Sequence, residues 1–222
     1  MRPVLITCGA TRNPVDAIRY LSARASGQTG IGLARALWSG RGGAAGLRVH
    51  VLGSEEAALR APDLGVEVYG STRDLLARME RWCSANPDGV VIHSAAVGDY
   101  ERSEAVIRDA GKIPSGQDEI VLRLTPTPKI VDRVKDWGPG IFLVSFKAAR
   151  PGVTMDELES IARAQAVRTR SDVVFANALD HTGTDVLLVS TVATQRFGRR
   201  EDAVTALLAM LPVLPVLPVL PE

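Results

Sequence analysis

The chain predicts an α/β fold, a doubly wound and mostly parallel sheet with helices on both faces, on three observations. Short apolar runs rich in β-branched residues alternate with segments of helical apolar spacing, a rhythm that favours parallel strands joined by right-handed crossovers. Several of those runs are continuously apolar, as in Val90-Val91-Ile92 and Ile141-Phe142-Leu143-Val144, which reads as strands buried on both faces. Finally, 222 residues at 46% hydrophobic content are enough for one core of this class, and α/β units of this size fold as single domains.

The elements follow in order. Val4-Leu5-Ile6-Thr7 is a central strand ending near Gly9, and a long loop leads to a helix over 30–38 that stops near Gly40. A strand over 48–52 completes a β-loop-α-β unit. The rhythm returns with a strand over 66–69, a helix over 73–84 capped by Ser71 or Thr72, and a strand over 90–93. The stretch 101–119 is polar, carries Gly111, Pro114 and Gly116, and reads as a loop or lid. Beyond it come a strand over 120–124, a helix opened by Thr127-Pro128 and a strand over 141–146. Thr154 and Glu157 have the spacing of a capping box and open a helix running to Arg168. A buried strand over 172–177 puts Asn177 at its carboxyl end; a hairpin over 186–197 and a helix over 201–210 close the fold. Residues 1–210 thus form one Rossmann-like unit. The tail, 211–222, repeats Pro-Val-Leu three times, and proline at every third position forbids a helix and favours an extended polyproline II chain.

Composition narrows the function. With 26 Lys and Arg against 25 Asp and Glu, net +1, no nucleic-acid partner is expected. No apolar run approaches the ~18 to 20 residues of a membrane span, and Met1-Arg2-Pro3-Val4 lacks the apolar core of a signal peptide, so a cytoplasmic chain is expected. Cys8 and Cys83 are far apart, and His50, His93 and His181 are scattered, so no disulfide and no structural metal is assigned.

In an open parallel sheet, ligands bind at the carboxyl ends of the strands. The loop after the first strand holds Gly9-Ala10-Thr11-Arg12 and then Ser26-Gly27-Gln28-Thr29-Gly30 at a helix start. Glycines there let backbone N–H groups approach an anion, and the helix terminus adds partial positive charge. The spacing matches neither a dinucleotide fingerprint nor a P-loop, and a flexible loop with a glycine-assisted helix start reads equally well. The loop Ser94-Ala95-Ala96-Val97-Gly98-Asp99-Tyr100 sets small side chains beside one carboxylate, Asp99, which accepts from ligand hydroxyls or amides or else caps a turn. Lys112 either closes onto a triphosphate or stays solvated. Phe146 stacks on a base or fills the core, and Asn177 reads a ligand edge or starts a turn.

In sequence order, Ile6-Thr7-Cys8-Gly9-Ala10-Thr11, Asp16-Ala17-Ile18-Arg19-Tyr20-Leu21-Ser22 and Ser26-Gly27-Gln28-Thr29-Gly30 resemble the opening of the phosphopantothenoylcysteine synthetases. The resemblance continues through Ala95-Ala96-Val97-Gly98-Asp99-Tyr100, Gly111-Lys112-Ile113, Thr127-Pro128-Lys129-Ile130-Val131, Val144-Ser145-Phe146-Lys147 and Ala176-Asn177, and covers about residues 4–191. Lys112-Ile113-Pro114-Ser115 looks more like the stand-alone synthetases than the forms fused to a decarboxylase. The resemblance implies a nucleoside-triphosphate-dependent ligase that joins 4'-phosphopantothenate to cysteine in coenzyme A synthesis, with CTP or ATP as co-substrate and Mg²⁺, acting as a homodimer. It implies that Gly9, Gly27 and Gly30 lie against the nucleotide phosphates and that Phe146 and Asn177 contact the nucleotide. Lys112 would close over the reacting groups; Ala95, Ala96 and Asp99 would line the substrate side, with Asp99 also in the catalytic set. Arg19 would reach the pantothenate phosphate from the partner subunit.

The chain also departs from the family. Ala23 stands where members carry an asparagine that orients the acyl-nucleotidylate, Ala25 replaces a serine, Asn13 a glutamate, and Gln165 and Thr169 stand at lysine positions. These departures leave a second reading, a nucleotide-binding homologue that has lost ligation or activates another carboxylate. A nicotinamide-dependent reductase, third in rank, would have the same sheet but needs a different glycine spacing and a ribose-binding acid after the strand ending at Leu52.

Overall fold

The computed structural model describes residues 2–39, 48–103, 111–114, 116 and 118–212. Gly40, Ser115, much of the 101–119 loop and nearly all of the Pro-Val-Leu tail fall outside the described residues.

The centre is β1 (Val4–Cys8), all five of whose residues are buried. It pairs in parallel with β4 (Val49–Gly53) on one side and β6 (Val90–His93) on the other. Outward from β4 lies β5 (Glu67–Val68); outward from β6 lie β9 (Phe142–Ala149) and β10 (Val173–Ala178), again parallel. The hairpin β11 (Val186–Ser190) and β12 (Thr194–Phe197) adds the last two strands antiparallel. The spatial order is β12-β11-β10-β9-β6-β1-β4-β5. Its six parallel strands, renumbered by chain order, read 3-2-1-4-5-6, the doubly wound order whose direction reverses between β1 and β6.

Alternate residues of β1 feed two cores. Val4, Ile6 and Cys8 pack with Ile31, Leu33 and Leu37 of α1 (Gln28–Trp38). Leu5 points the other way, to Leu75, Met79 and Cys83 of α3 (Thr72–Ala85) and Ile130 and Val134 of α4 (Ile130–Trp137). A third cluster seats α5 (Met155–Thr169) on β10 and β11 through Leu158, Ala162 and Ala166. The last helix, α6 (Arg200–Met210), closes the α1 face through Ala203 and Leu207. Thr154 forms the capping box its spacing predicts, Thr154 Oγ1 accepting from Glu157 N–H and Glu157 accepting from Thr154 N–H, and Ser71 caps α3.

Four sequence expectations are corrected. The apolar run 120–124 is no strand of the main sheet. Ile120, Val121 and Leu122 are exposed, and only Leu124–Pro126, β8, pairs, antiparallel to β7 (Tyr100–Arg102), in a separate two-stranded arm. An apolar run supplies strand propensity but says nothing about which face is covered. Thr127-Pro128 does not open α4, whose N-cap is Lys129; the Thr127 hydroxyl is spent on the Gly98 carbonyl at 2.6 Å. What read as one long loop before α1 contains the hairpin β2 (Arg12–Pro14) and β3 (Tyr20–Ser22). A short helix, α2 (Glu55–Arg60), capped by Ser54 Oγ, follows β4 unannounced by any long apolar period.

Candidate active site at the strand switch point

The crevice opens where strand order reverses. Pairing of β1 and β6 continues past the strands through an Ala10–Ala96 bridge, with Ala96 N–H donating to Gly9 O at 2.8 Å and Thr11 N–H to Ala96 O at 3.1 Å. The small side chains of this double loop leave a cleft of ≈ 640 Å³ above the sheet, and α1 points its N-terminus at it. Gly9, Gly27, Gly30, Ala95, Ala96, Phe146 and Asn177 line it together. The sequence had placed all seven at a ligand.

Local chemistry explains the shape. Gly27 is the N-cap of α1 at φ 80°, in the left-handed region that favours glycine, and no side chain caps the helix. The first-turn N–H groups therefore stay open to an anion. Gly30 has a second reason to be glycine: a Cβ would meet Cys8 Cβ at 2.5 Å and Ser94 Oγ at 2.8 Å, so α1 can lie this close to β1 and β6 only without one.

Phe146 stacks on Phe175 with centroids 4.8 Å apart, and its half-exposed position on β9 also borders a neighbouring depression of ≈ 230 Å³. That depression holds Asp99, Lys129, Lys147, Arg168, His93, Ser145 and Gln165, and shares Ala95, Phe146 and Ala148 with the first. Asp99 is no turn cap: its carboxylate accepts from Lys129 Nζ at 2.5 Å. Arg168 pairs with Asp132. His93 is buried beside Thr7, with Nδ1 2.8 Å from Thr7 Oγ1, and burial pushes its pKa down to about 4, so the ring is neutral at physiological pH. Gln165 and Thr169, among the residues the resemblance places where lysines are expected, belong to one hydrogen-bond network. Gln165 Nε2 donates to Ser145 Oγ at 2.9 Å, Ser171 Oγ to Ser145 Oγ at 2.8 Å, and Thr169 and Ser171 hydroxyls lie 2.6 Å apart.

Two predicted residues stand outside both linings. Arg19 bonds Asp16 Oδ2 at 2.7 Å and reaches the Ile113 carbonyl at 3.4 Å. Asp16 also accepts from the N–H groups of Ile18, Arg19 and Ile113, which hold its carboxyl below the usual carboxylate range, Ile18 contributing most. The exposed Lys112, next to Ile113, is thereby moored near the Asp16–Arg19 turn. Asn13, the residue in place of a glutamate, is buried: its Nδ2 donates to Tyr100 O at 2.9 Å and its Oδ1 accepts from Thr72 N–H at 2.9 Å, clamping the hairpin to α3 and β7.

Sequence reasoning missed Arg24 and Arg200, both of which line the cleft. Arg200 lies over the Phe175 ring, 4.8 Å to the centroid, and donates to Asn177 Oδ1 at 3.3 Å, Thr182 O at 3.0 Å and Thr29 Oγ1 at 3.0 Å. Burial lowers its pKa from the ordinary value, yet a guanidinium stays charged. It is 171 residues from Thr29 in sequence, so no local motif could have flagged it.

Among the described residues no group of three His, Cys, Asp or Glu side chains could hold a metal, and no helix is long and apolar enough to cross a membrane.

The resemblance seen in the motifs is borne out by comparison with known proteins. A coenzyme A biosynthesis bifunctional protein from Thermococcus kodakarensis is 37% identical over 183 residues, 82% of this chain. The chain spans only 42% of that relative's length. Among solved structures, the DNA/pantothenate metabolism flavoprotein of Streptococcus pneumoniae superposes with a TM-score of 0.79 at 28% identity, covering 94% of this chain and 97% of that one. A Cab2 mutant in complex with phosphopantothenate-cysteine shares the fold, with a TM-score of 0.70 at 17% identity over 90% of this chain and 81% of that one. The family described as DNA/pantothenate metabolism flavoprotein C-terminal domain matches residues 1–202, and the chain belongs to it.

Proposed function

We propose that this chain is a phosphopantothenate-cysteine ligase of coenzyme A synthesis, using a nucleoside triphosphate, CTP or ATP. The observation that carries the reading is the cleft at the switch point: an uncapped helix start and two arginines face it, no acid among the described residues lines it, and it adjoins the depression holding Asp99 and Lys129. A relative with this fold is described in complex with phosphopantothenate-cysteine.

In this reading the substrate carboxylate attacks the α-phosphorus and the P–O bond to the β-phosphate breaks, so pyrophosphate leaves with the negative charge. The cysteine amine then attacks the acyl carbon, the C–O bond breaks, nucleoside monophosphate departs, and the amine loses its proton to solvent. Open N–H groups at Gly27 to Gly30 meet the phosphate chain. The Phe146 face, already paired with Phe175, offers a stacking surface for the base, and Asn177 stands beside it. Asp99, held by Lys129, faces the acyl and amine side together with Ala95. Lys112, outside both linings, would close over the reacting groups, and Arg19 would meet the pantothenate phosphate from the second subunit of a homodimer. Among the described residues the cleft offers Mg²⁺ no carboxylate, so the ion that the resemblance implies would ride on the nucleotide phosphates. A cytoplasmic location and the absence of a nucleic-acid partner fit small-molecule substrates of this kind.

One observation favours a second reading, a nucleotide-binding homologue without ligation. Gln165 and Thr169 are tied into a neutral hydroxyl network where the family carries lysines. The deciding experiment is pyrophosphate release with CTP or ATP, Mg²⁺, 4'-phosphopantothenate and cysteine, with the amide product weighed by mass spectrometry. Pyrophosphate with stoichiometric amide is expected. Nucleotide binding without either product would replace the ligase reading by the second.

A further inference from the structure

We propose that Arg24 and Arg200 form a two-arginine clamp that grips the polyphosphate of the nucleotide from either side of the Gly27 turn. The proposal deepens the ligase reading and rests on it only for the identity of the nucleotide.

Charge distribution is the first argument. Arg12, Arg19, Arg35, Arg60, Arg73, Arg78, Arg163, Arg168, Arg170 and Arg196 each pair with a carboxylate at the surface. Among the described residues Arg24 and Arg200 have no ion pair, nor do Arg2, Arg48, Arg81, Arg123 and Arg133, but only Arg24 and Arg200 of these line the cleft, whose described lining contains no Asp or Glu. Glu201, the acid that acts on Arg200, lines not the cleft but the adjoining groove between α1 and α6, which shares Gln28, Thr29 and Arg200 with it. A half-buried guanidinium without a counter-ion is costly, and an anionic ligand removes that cost. Two cations on one acid-free wall select for charge rather than for shape.

Donor geometry is the second. Of the five N–H donors of a guanidinium, Arg200 uses its two Nη1 donors on Asn177 and Thr182 and one Nη2 donor on Thr29. Nε–H and the other Nη2–H have no acceptor among the described residues. Its fork is fixed by the Phe175 ring and by three partners from β10, the following loop and α1. A planar fork with its orientation set and donors unspent suits bidentate phosphate binding. Arg24 is the opposite: exposed, without a partner among the described residues, and able to swing in once the anion arrives.

Direct contact with phosphate predicts a loss that grows with phosphate number, whereas a structural role does not. The test is calorimetric titration of the full chain with inorganic triphosphate and with the mono-, di- and triphosphates of cytidine and adenosine. Wild type, Arg24→Gln, Arg200→Gln and Arg200→Lys are compared. Each glutamine variant is expected to bind triphosphates about tenfold more weakly, the worth of one charged hydrogen bond, while monophosphate affinity stays within about twofold. Arg200→Lys should recover part of the loss. Because Arg200 also holds three elements together, Arg24→Gln, on an exposed loop, decides the matter if Arg200→Gln fails to fold. Equal losses for mono- and triphosphates, unchanged triphosphate affinity in Arg24→Gln, or no binding of inorganic triphosphate to wild type would each overturn the clamp. The amide-product assay separates the two ideas: triphosphate lost on substitution without any amide from wild type keeps the clamp and sinks the ligase, and amide formation with unaltered variants does the reverse.

Discussion

The two halves of the crevice share a wall, Ala95, Phe146 and Ala148, and treat charge in opposite ways. On the β6–β9 side most charges are answered: Asp99 by Lys129, Arg168 by Asp132, and Lys135 by Asp172 at 2.7 Å just below, with Lys147 left without a carboxylate among the described residues. His93 there is kept neutral by burial. On the β1–α1 side the helix start is uncapped and, among the described residues, the two arginines make no ion pair. A half that balances its own charges can hold a neutral or singly charged reactant and steer it with hydrogen bonds. A half that leaves positive charge open favours an anionic ligand. In the proposed reading the first side would take the acyl chemistry and the second the phosphate chain, although the two lie on one continuous sheet edge.

The largest effect expected on this comparison comes from Gly9, at the floor of the open half. Its φ is +83°, and an added Cβ would lie 2.1 Å from Ser54 Oγ and 2.7 Å from Ser54 Cβ. Ser54 cannot simply retreat, since its hydroxyl caps α2 and its N–H donates to Cys8 O at 3.0 Å. Gly9→Ala should cost about 2–4 kcal/mol of stability, about 1 from the strained backbone and the rest from overpacking, read as a shift in the urea midpoint. Adding Ser54→Gly should return the overpacking part and leave the backbone part. A double variant no more stable than Gly9→Ala would show that the clash is not what makes the position glycine.

The paired half is broken by acid. His93 has a usual pKa of 6.5 and about 4 in the fold. The unfolded chain therefore binds this proton first as pH falls. The stability contributed by the neutral ring is fully present above pH 6.5 and is lost as pH drops from there to about 4. Over that window the loss is about 3 kcal/mol at 1.36 kcal/mol per pKa unit, and it comes on top of the acid sensitivity of low-pKa carboxylates such as Asp16 and Asp74. His93→Asn should flatten the denaturation profile between pH 6.5 and 4 relative to wild type. Parallel profiles would mean that the imidazole is protonated in the fold and that this half is less neutral than its counter-ions indicate.

Most of the scaffold was readable because strands buried on both faces leave long apolar runs and helices leave caps: β1, β6, β9 and β10, and the Thr154 and Ser71 caps, stand where the pattern puts them. The cleft's backbone-defined wall was readable for a related reason, since Gly27, Gly30, Ala95 and Ala96 are small because the chain must pass close. What escaped depends on partners distant in sequence. The β2–β3 hairpin is held by Asn13 reaching Thr72 and Tyr100, and the β7–β8 arm forms from strands on either side of the polar 101–119 stretch. Arg200 looks like any cation at a helix start until Thr29, Asn177 and Phe175 converge on it.

The smallest effect expected is also the one that sequence comparison would rank highest. The family resemblance places Ala23 at the position of an asparagine, and on that ground restoring an amide there would restore a donor worth ~10²-fold or more in rate. In this fold Ala23 is exposed and absent from the cleft lining, while its neighbours Arg24 and Ala25 line it. An amide at position 23 would face water. Ala23→Asn should therefore change amide formation by no more than about twofold, the range of an ordinary surface substitution, with Arg24→Gln in parallel showing the larger loss. A tenfold or greater gain from Ala23→Asn would mean that the loop turns inward when nucleotide binds, and that the open half is completed by a backbone rearrangement rather than by its two arginines.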